Sequence, residues 1–280
     1  MATKLTLNGG IALITGAASG IGKETAFAFA EAGAEGIVFA DLNEKGAQEA
    51  AEESKKYATN EKFRALAIQV DIVEEDSVQS MVDATIREFG RIDYNVNSAG
   101  ISNLSSAIAP HLKTDIFSKT VDVNIKGMVF CVRAVTKAMA QQEPLTYTSR
   151  RHGTRSLGRG SIVNLGSANS YVVTPGMLSY ATTKHAVMGI TKSAAIDCFQ
   201  SLIRVNAVCP AWVDTPMVQA GLQRVPKLGQ FIQASSPLRR MATAEEVADY
   251  IVFLCSPSST YINGTGLLVD AGLTVTAHTG

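Results

Sequence analysis

Short apolar runs alternate with longer stretches whose apolar residues recur at helical spacing along nearly the whole chain. Ile11–Thr15 is the first run and predicts a strand. After Gly16, Gly20 and Gly22, the residues Ala26, Phe27, Ala30 and Ala32 predict a helix that ends at Gly33. Gly36–Ala40 predicts a second strand ending at Asp41, with a helix from near Glu44. Ala65–Val70 predicts a third, ending at Asp71, and Val78, Met81, Val82, Ala84, Ile86 and Phe89 mark the helix after it. Ile92–Val96 predicts a strand that runs into Asn97-Ser98-Ala99-Gly100. A long helical region follows from about Lys113 to Ala140 and carries Asn124. Ser161–Leu165 predicts a strand ending at Gly166-Ser167, and Ala186, Val187, Ile190, Ala194 and Ala195 place Tyr180 in the first turns of a helix. Leu202–Val208 ends at Cys209-Pro210, and a helix from Ala244 to about Cys255 leads to a last strand, Gly266–Asp270.

This alternation has no linker and no repeat of fixed period. It predicts an α/β fold over residues 1–280: a single Rossmann-like, doubly wound parallel sheet with helices on both faces. Two stretches break the rhythm. Residues 141–160 are polar and aperiodic and hold Arg150, Arg151, His152, Arg155 and Arg159, which reads as a surface loop insertion. It enters a strand at its N-terminal end, whereas ligands of open α/β sheets bind beyond the C-terminal ends. Residues 211–240 have scattered apolar residues and poor periodicity, the expected character of a substrate-loop region.

Composition narrows the function without naming it. The chain is 46% hydrophobic and 18% charged, and Lys+Arg balance Asp+Glu at 25 each. No field of one sign points to nucleic acid or an anionic membrane. Cys131, Cys198, Cys209 and Cys255 are widely spaced in apolar runs, which suits small core residues in a reducing compartment and no metal site. The first ten residues lack the apolar core of a signal peptide, and no apolar stretch is long enough to span a bilayer. A cytoplasmic location is expected.

The candidate chemistry starts at Tyr180 and Lys184, one helical turn apart on one face. An ammonium beside a phenol favours the phenolate and would make Tyr180 usable for proton transfer, although such a pair is commonly just surface. Strand, glycine turn and helix at Ile11–Ala32 would suit a pyrophosphate, or would simply be a tight connection. Asp41 stands about 20 residues beyond the turn, where a ribose-binding carboxylate is expected, or serves as an N-cap. Position decides between these pairs. Asp41, Asp71, Asn97–Gly100, Ser167 and Pro210 all fall at C-terminal strand ends, the edge where such sheets bind ligands.

At this point the sequence resembles the short-chain dehydrogenase/reductase family along essentially its whole length. Thr15-Gly-Ala-Ala-Ser-Gly-Ile-Gly22 is similar to the family's T-G-x-x-x-G-x-G cofactor turn, and Asn97-Ser-Ala-Gly100 to its N-N-A-G segment, with Ser98 in place of asparagine. Asn124, Ser167, Tyr180 and Lys184 match its Asn-Ser-Tyr-Lys tetrad at the family's Ser-to-Tyr spacing. Pro210-Ala-Trp-Val-Asp-Thr215 is similar to its P-G-x-x-x-T loop, with Ala211 in place of glycine.

The resemblance implies hydride transfer between a nicotinamide cofactor and a carbinol or carbonyl carbon of a small-molecule alcohol or ketone. Tyr180 would exchange the proton, Lys184 would hold the ribose and depress the phenol's pKa, Ser167 would bind the substrate oxygen and Asn124 would anchor a water. The cofactor would lie against Gly16, Ser19, Gly20, Ile21, Gly22, Asp41, Leu42, Asp71, Ile72, Asn97, Ala99, Gly100, Tyr180, Lys184, Pro210, Val213 and Thr215. Asp41 favours NAD over NADP. The family also implies a homotetramer, or a homodimer, through helices near 113–140 and 179–200, where Met128, Val129, Val132, Val187, Ile190 and Ala194 exceed what one sheet face is expected to cover. Trp212, Met217, Val218, Leu222, Val225, Leu228, Phe231 and Ile232, with Tyr171 and Met177, suggest a lipophilic substrate such as a secondary metabolite, or else cover the core. Two other readings keep the same fold: a catalytically silent cofactor sensor or scaffold, and an isomerase or dehydratase.

Overall fold

The apolar runs form the strands of this chain, which a computed structural model describes over residues 6, 7, 9–102 and 108–276. The first half comprises β1 (Ile11–Thr15), α1 (Gly20–Glu31), β2 (Gly36–Asp41), α2 (Glu44–Ser54), β3 (Arg64–Gln69), α3 (Glu75–Phe89), β4 (Tyr94–Asn97), α4 (Thr114–Val121) and α5 (Met128–Met139). The second half comprises β5 (Leu145–Ser149), β6 (Gly153–Gly158), β7 (Gly160–Leu165), α6 (Leu178–Asp197), β8 (Ile203–Pro210), α7 (Pro216–Arg224), α8 (Leu228–Ser235), α9 (Ala244–Cys255) and β9 (Gly266–Val269).

Seven strands form one parallel sheet in the order β3-β2-β1-β4-β7-β8-β9. The central strands read as continuous apolar runs because both their faces are covered: every residue of β1 and β7 is buried. Helices supply the cover with stripes at helical spacing, such as Ala47, Ala50, Ala51 and Ser54 on α2 and Val78, Met81, Val82 and Thr85 on α3. One apolar layer joins α1, α2 and α9 to the sheet through Phe29, Phe39 and Ile251. The other joins α3, α5 and α6 through Met81, Met139, Ile162 and Val187. The fold is the single Rossmann-like doubly wound sheet expected from the alternation. Strand order reverses at β1, which pairs with β2 on one side and β4 on the other, and a crevice opens above their C-terminal ends.

Four local features differ from the sequence reading. The helix expected over about 113–140 is interrupted by a π turn, Asp122–Gly127, between α4 and α5. Residues 141–160 are not an aperiodic loop: β5 and β6 pair as an antiparallel hairpin, with Arg155 donating to the Pro257 carbonyl (2.6 Å) and Arg159 to the Gln142 and Ser201 carbonyls. Residues 211–240 contain α7 and α8, whose buried residues Gly221, Leu228 and Ile232 are too few to give a readable period. Finally, Met128, Val132, Val187 and Ala194 are buried within the chain itself. One sheet face does cover them, so they leave no surplus for a subunit interface. The apolar side chains that α5, α6 and the turn after them leave exposed are Val129 (40%), Leu178 (46%), Ile196 (69%) and Phe199 (57%).

Candidate active site

The β1–α1 turn sets the floor of the crevice. Gly16 has a φ of +71°, and a Cβ there would come 2.8 Å from the Ala99 backbone, so only a glycine lets the turn seat against the chain leaving β4. Gly22 lies beneath it, where any Cβ would collide with the Gly16 carbonyl. Ser19 is the N-cap of α1 in an extended conformation and makes no side-chain cap bond, so the helix opens with free N–H groups. Ser19, Gly20 and Ile21 line a cleft of about 480 Å³. An uncapped helix N-terminus on a cleft, reached through residues without side chains, fits a pyrophosphate.

Asp41 ends β2 on the same cleft. It is not an N-cap: Asn43 caps α2, its side chain accepting from the Gly46 N–H at 3.1 Å. Both carboxylate oxygens of Asp41 are held by backbone, Oδ2 accepting from Ala18 N–H and Oδ1 from Asn43 N–H, each at 2.9 Å. Leu42, Asp71, Ile72, Ala99 and Gly100 continue the lining, and Pro210, Val213 and Thr215 form the opposite wall. Thr215 caps α7 by accepting from the Val218 N–H.

At the other end of the cleft stand Ser167, Tyr180 and Lys184. Ser167 caps the turn Ala168–Ser170, its Oγ accepting from the Asn169 N–H at 3.1 Å. With that lone pair engaged, the hydroxyl also stands beside the Tyr180 phenol. Tyr180 and Lys184 lie in the first turns of α6, as the pattern predicted, and Lys184 Nζ sits 5.5 Å from the tyrosine ring centre. Nζ donates to the Leu165 carbonyl at 2.6 Å.

The electrostatics differ from the expected lysine-depressed phenol. Burial pushes the Tyr180 phenol up, with only the neighbouring Ser167 hydroxyl acting the other way, and burial pushes Lys184 down to about 8. The reason is geometric. The ammonium points at a carbonyl rather than the phenol oxygen, and both groups leave water together.

Besides Gly22, two expected site residues lie off the cleft. Asn97 is buried and turns inward, donating to Asn164 Oδ1 (2.8 Å), and Asn164 donates to Thr191 Oγ1 (3.0 Å). Asn124, on the π turn, ties down the chain after β4: Oδ1 accepts from Ile101 N–H (2.8 Å), while Nδ2 donates to the Ile101 carbonyl (2.9 Å) and to Thr183 Oγ1 (3.1 Å). It sits behind Gly100, where a Cβ would come 3.2 Å from Asn124 Oδ1 and 4.0 Å from Lys184 Nζ. The cleft also includes Ile101, Lys119 and Val123, which the motifs did not mark. Lys119 and Val123 share a face at i and i+4, a signal that was present but indistinguishable from an ordinary amphipathic helix. Among the apolar residues after Pro210, Met217 and Val218 line the cleft, whereas Leu228 and Ile232 are buried in the core and Trp212 packs edge-on against Phe231 at 6.3 Å. Among the described residues no group of acidic, histidine or cysteine side chains could hold a metal ion, and no helix is long and apolar enough to cross a membrane.

Comparison with known proteins gives a consistent picture. A family model described as enoyl-(acyl carrier protein) reductase matches residues 16–274. The chain is 46% identical over 275 residues to the short-chain dehydrogenase anuF of Penicillium roqueforti, covering 98% of this chain and 99% of the relative. It is 36% identical over 266 residues to the 2-(R)-hydroxypropyl-CoM dehydrogenase of Xanthobacter autotrophicus, covering 94% of this chain and 98% of the relative. Among solved structures, the 3-ketoacyl-(acyl-carrier-protein) reductase of Brucella melitensis, complexed with NADH, superposes with a TM-score of 0.81 at 30% identity, over 96% of this chain and 100% of that one.

Proposed function

This chain belongs to the short-chain dehydrogenase/reductase family of oxidoreductases, and from that premise we propose that it interconverts a secondary alcohol and a ketone with NAD. The observation that carries the proposal is a single cleft with Ser167, Tyr180 and Lys184 at one end and Asp41 with the uncapped start of α1 at the other. A nicotinamide, when bound, supplies the hydride acceptor or donor.

The chain's own residues do the rest. Asp41 accepts hydrogen bonds from the adenosine ribose, and the first N–H groups of α1 hold the pyrophosphate. Ser167 has one lone pair fixed by Asn169 and directs its hydroxyl to the substrate oxygen, where charge develops. In the oxidation direction Tyr180 accepts the hydroxyl proton from the substrate; in reduction it returns that proton to the oxygen. Lys184 stabilises the phenolate while it carries a proton and lies at the ribose end of the pair. Asn124 holds Gly100 and Ile101 against this end of the cleft. Incubating the protein with NAD and a panel of secondary alcohols should produce reduced nicotinamide, seen by its absorbance. No reduction across the panel, together with no ketone reduction by NADH, would refute an oxidoreductase of this class.

Substrate polarity follows from the walls. Met217 and Val218 line the cleft, and Tyr171, Val172 and Val173 are exposed apolar side chains on the segment between Ser167 and Tyr180. A lipophilic alcohol or ketone, such as a secondary metabolite, is therefore expected to give the higher kcat/KM. Faster turnover of small polar sugars than of apolar secondary alcohols would count against this.

A homo-oligomer, a tetramer or a dimer, is the remaining part of the proposal. Val129, Leu178, Ile196 and Phe199 leave apolar surface exposed on α5, α6 and the turn that follows. Light scattering at micromolar concentration should report a mass of two or four chains. A monomer would remove this part of the reading.

A further inference from the structure

We propose that Ser170 is a positioning residue whose hydroxyl holds Ser167 and the Tyr180–Lys184 helix together as one unit, a role that rests on the assignment of those three side chains above. Tyr180 and Lys184 are fixed relative to each other by one turn of α6. Ser167 arrives on a different segment, at the end of β7. The covalent path between them, residues 168–179, passes through the exposed Tyr171, Val172 and Val173, which does not by itself fix a distance. Ser170 supplies a direct tie. Its Oγ accepts from the Ser167 backbone N–H (3.2 Å) and donates to the Lys184 backbone carbonyl (2.7 Å).

The tie is braced on both sides. The Ser170 N–H donates back to the Ser167 carbonyl at 2.8 Å, and the side chains of Ser167 and Ser170 form a capping box at the start of the turn. Behind it lies Cys209, at the end of β8, whose thiol is beside both the Ser170 hydroxyl and the Ser167 N–H. Gly166 leaves room for the pair: a Cβ there would come 2.5 Å from Cys209 Sγ and 3.1 Å from Ser170 Oγ. Ser170 is itself buried. Its loss would leave the Ser167 N–H without that acceptor and let the serine drift relative to the phenol. A reacting group displaced by about 1 Å can cost on the order of 10²-fold in rate.

A purely structural hydroxyl would give a different pattern, and five variants separate the two. Ser161 provides the control: it lies on β7, the strand that leads to Ser167, is also buried, and donates to the Leu254 carbonyl (3.0 Å). Ser170→Ala should lower kcat about 10- to 100-fold with the KM for NAD changed less than about twofold. Ser161→Ala should lower Tm and leave kcat near the parent value. In the double variant Ser167→Ala/Ser170→Ala, the two losses should not multiply, because Ser170 acts through a group already removed. Ser170→Gly removes the same hydroxyl and replaces the alanine variant if that one does not fold. A lowered Tm with parental kcat in Ser170→Ala, or losses that multiply in the double variant, would overturn the positioning role alone. If Ser167→Ala turned over like the parent, the site assignment itself would fall, and the role of Ser170 with it.

Discussion

Replacing Tyr180 with phenylalanine is expected to abolish nearly all turnover while leaving cofactor affinity near that of the parent. The ring remains, so the packing at the start of α6 and the face presented to Lys184 Nζ at 5.5 Å are kept. What disappears is the phenol oxygen, which stands next to Ser167 at the end of the cleft. Lys184 cannot take over: its ammonium points at the Leu165 carbonyl. Ser167 cannot either, because a serine hydroxyl is far too weak an acid to exchange a proton near neutrality. General acid–base groups typically contribute about 10²–10⁴-fold, and the loss should fall in that range. Titration of the variant with NADH by fluorescence should give a Kd close to the parent's, while kcat collapses for every alcohol tested. Parental turnover in Tyr180→Phe would mean that another group carries the proton.

The strands were legible because parallel strands covered on both faces read as unbroken apolar runs, as in Ile11–Thr15 and Gly36–Asp41. The cleft was legible where its lining follows strand ends, as at Asp41, Asp71, Gly100, Ser167 and Pro210. What stayed hidden depended on geometry that a residue pattern does not encode. The π turn at Asp122–Gly127 inserts a residue into the helical count with only its closing glycine as a mark, and it turns Asn124 towards Ile101. In the hairpin, Leu145, Tyr147 and Ser149 alternate with the exposed Thr146 and Thr148, but the inner positions are only partly buried, so no apolar stripe stood out. Asn97 follows the period of β4, which puts it on the same face as Asn95, against the α5 and α6 layer rather than on the cleft. The N-cap alternative at Asp41 could be excluded only by seeing that Asn43 had already taken the cap. The direction of the Tyr180 pKa was misread for a similar reason. Spacing places the lysine beside the ring, but it does not say which acceptor the ammonium chooses.

Asp41 carries the prediction about cofactor choice. NAD is expected to be preferred over NADP by about a hundredfold or more in kcat/KM. The carboxylate is pinned by the Ala18 and Asn43 N–H groups, so it cannot swing away to admit a second anion. A 2′-phosphate there would place two charges ~4 Å apart, which costs about 4 kcal/mol at an effective dielectric of ~20 before solvent screening, and about 2.8 kcal/mol already corresponds to a hundredfold. The cations nearby in sequence are otherwise engaged. Lys23 pairs with Glu53 at 2.7 Å, and Lys45 lies on the exposed face of α2 with Glu49 at 3.7 Å. The turn itself, Ala17-Ala18-Ser19, offers no positive charge. Asp41→Asn removes the charge and keeps an acceptor for only one of these two N–H groups, so it should recover NADP use at the cost of one backbone hydrogen bond. Asp41→Arg should go further and narrow or invert the preference. The measurement is kcat/KM for one alcohol with each cofactor, on the parent and both variants. Equal use of NAD and NADP by the parent would contradict the assignment, and an unchanged ratio in Asp41→Asn would show that charge at this position is not what selects.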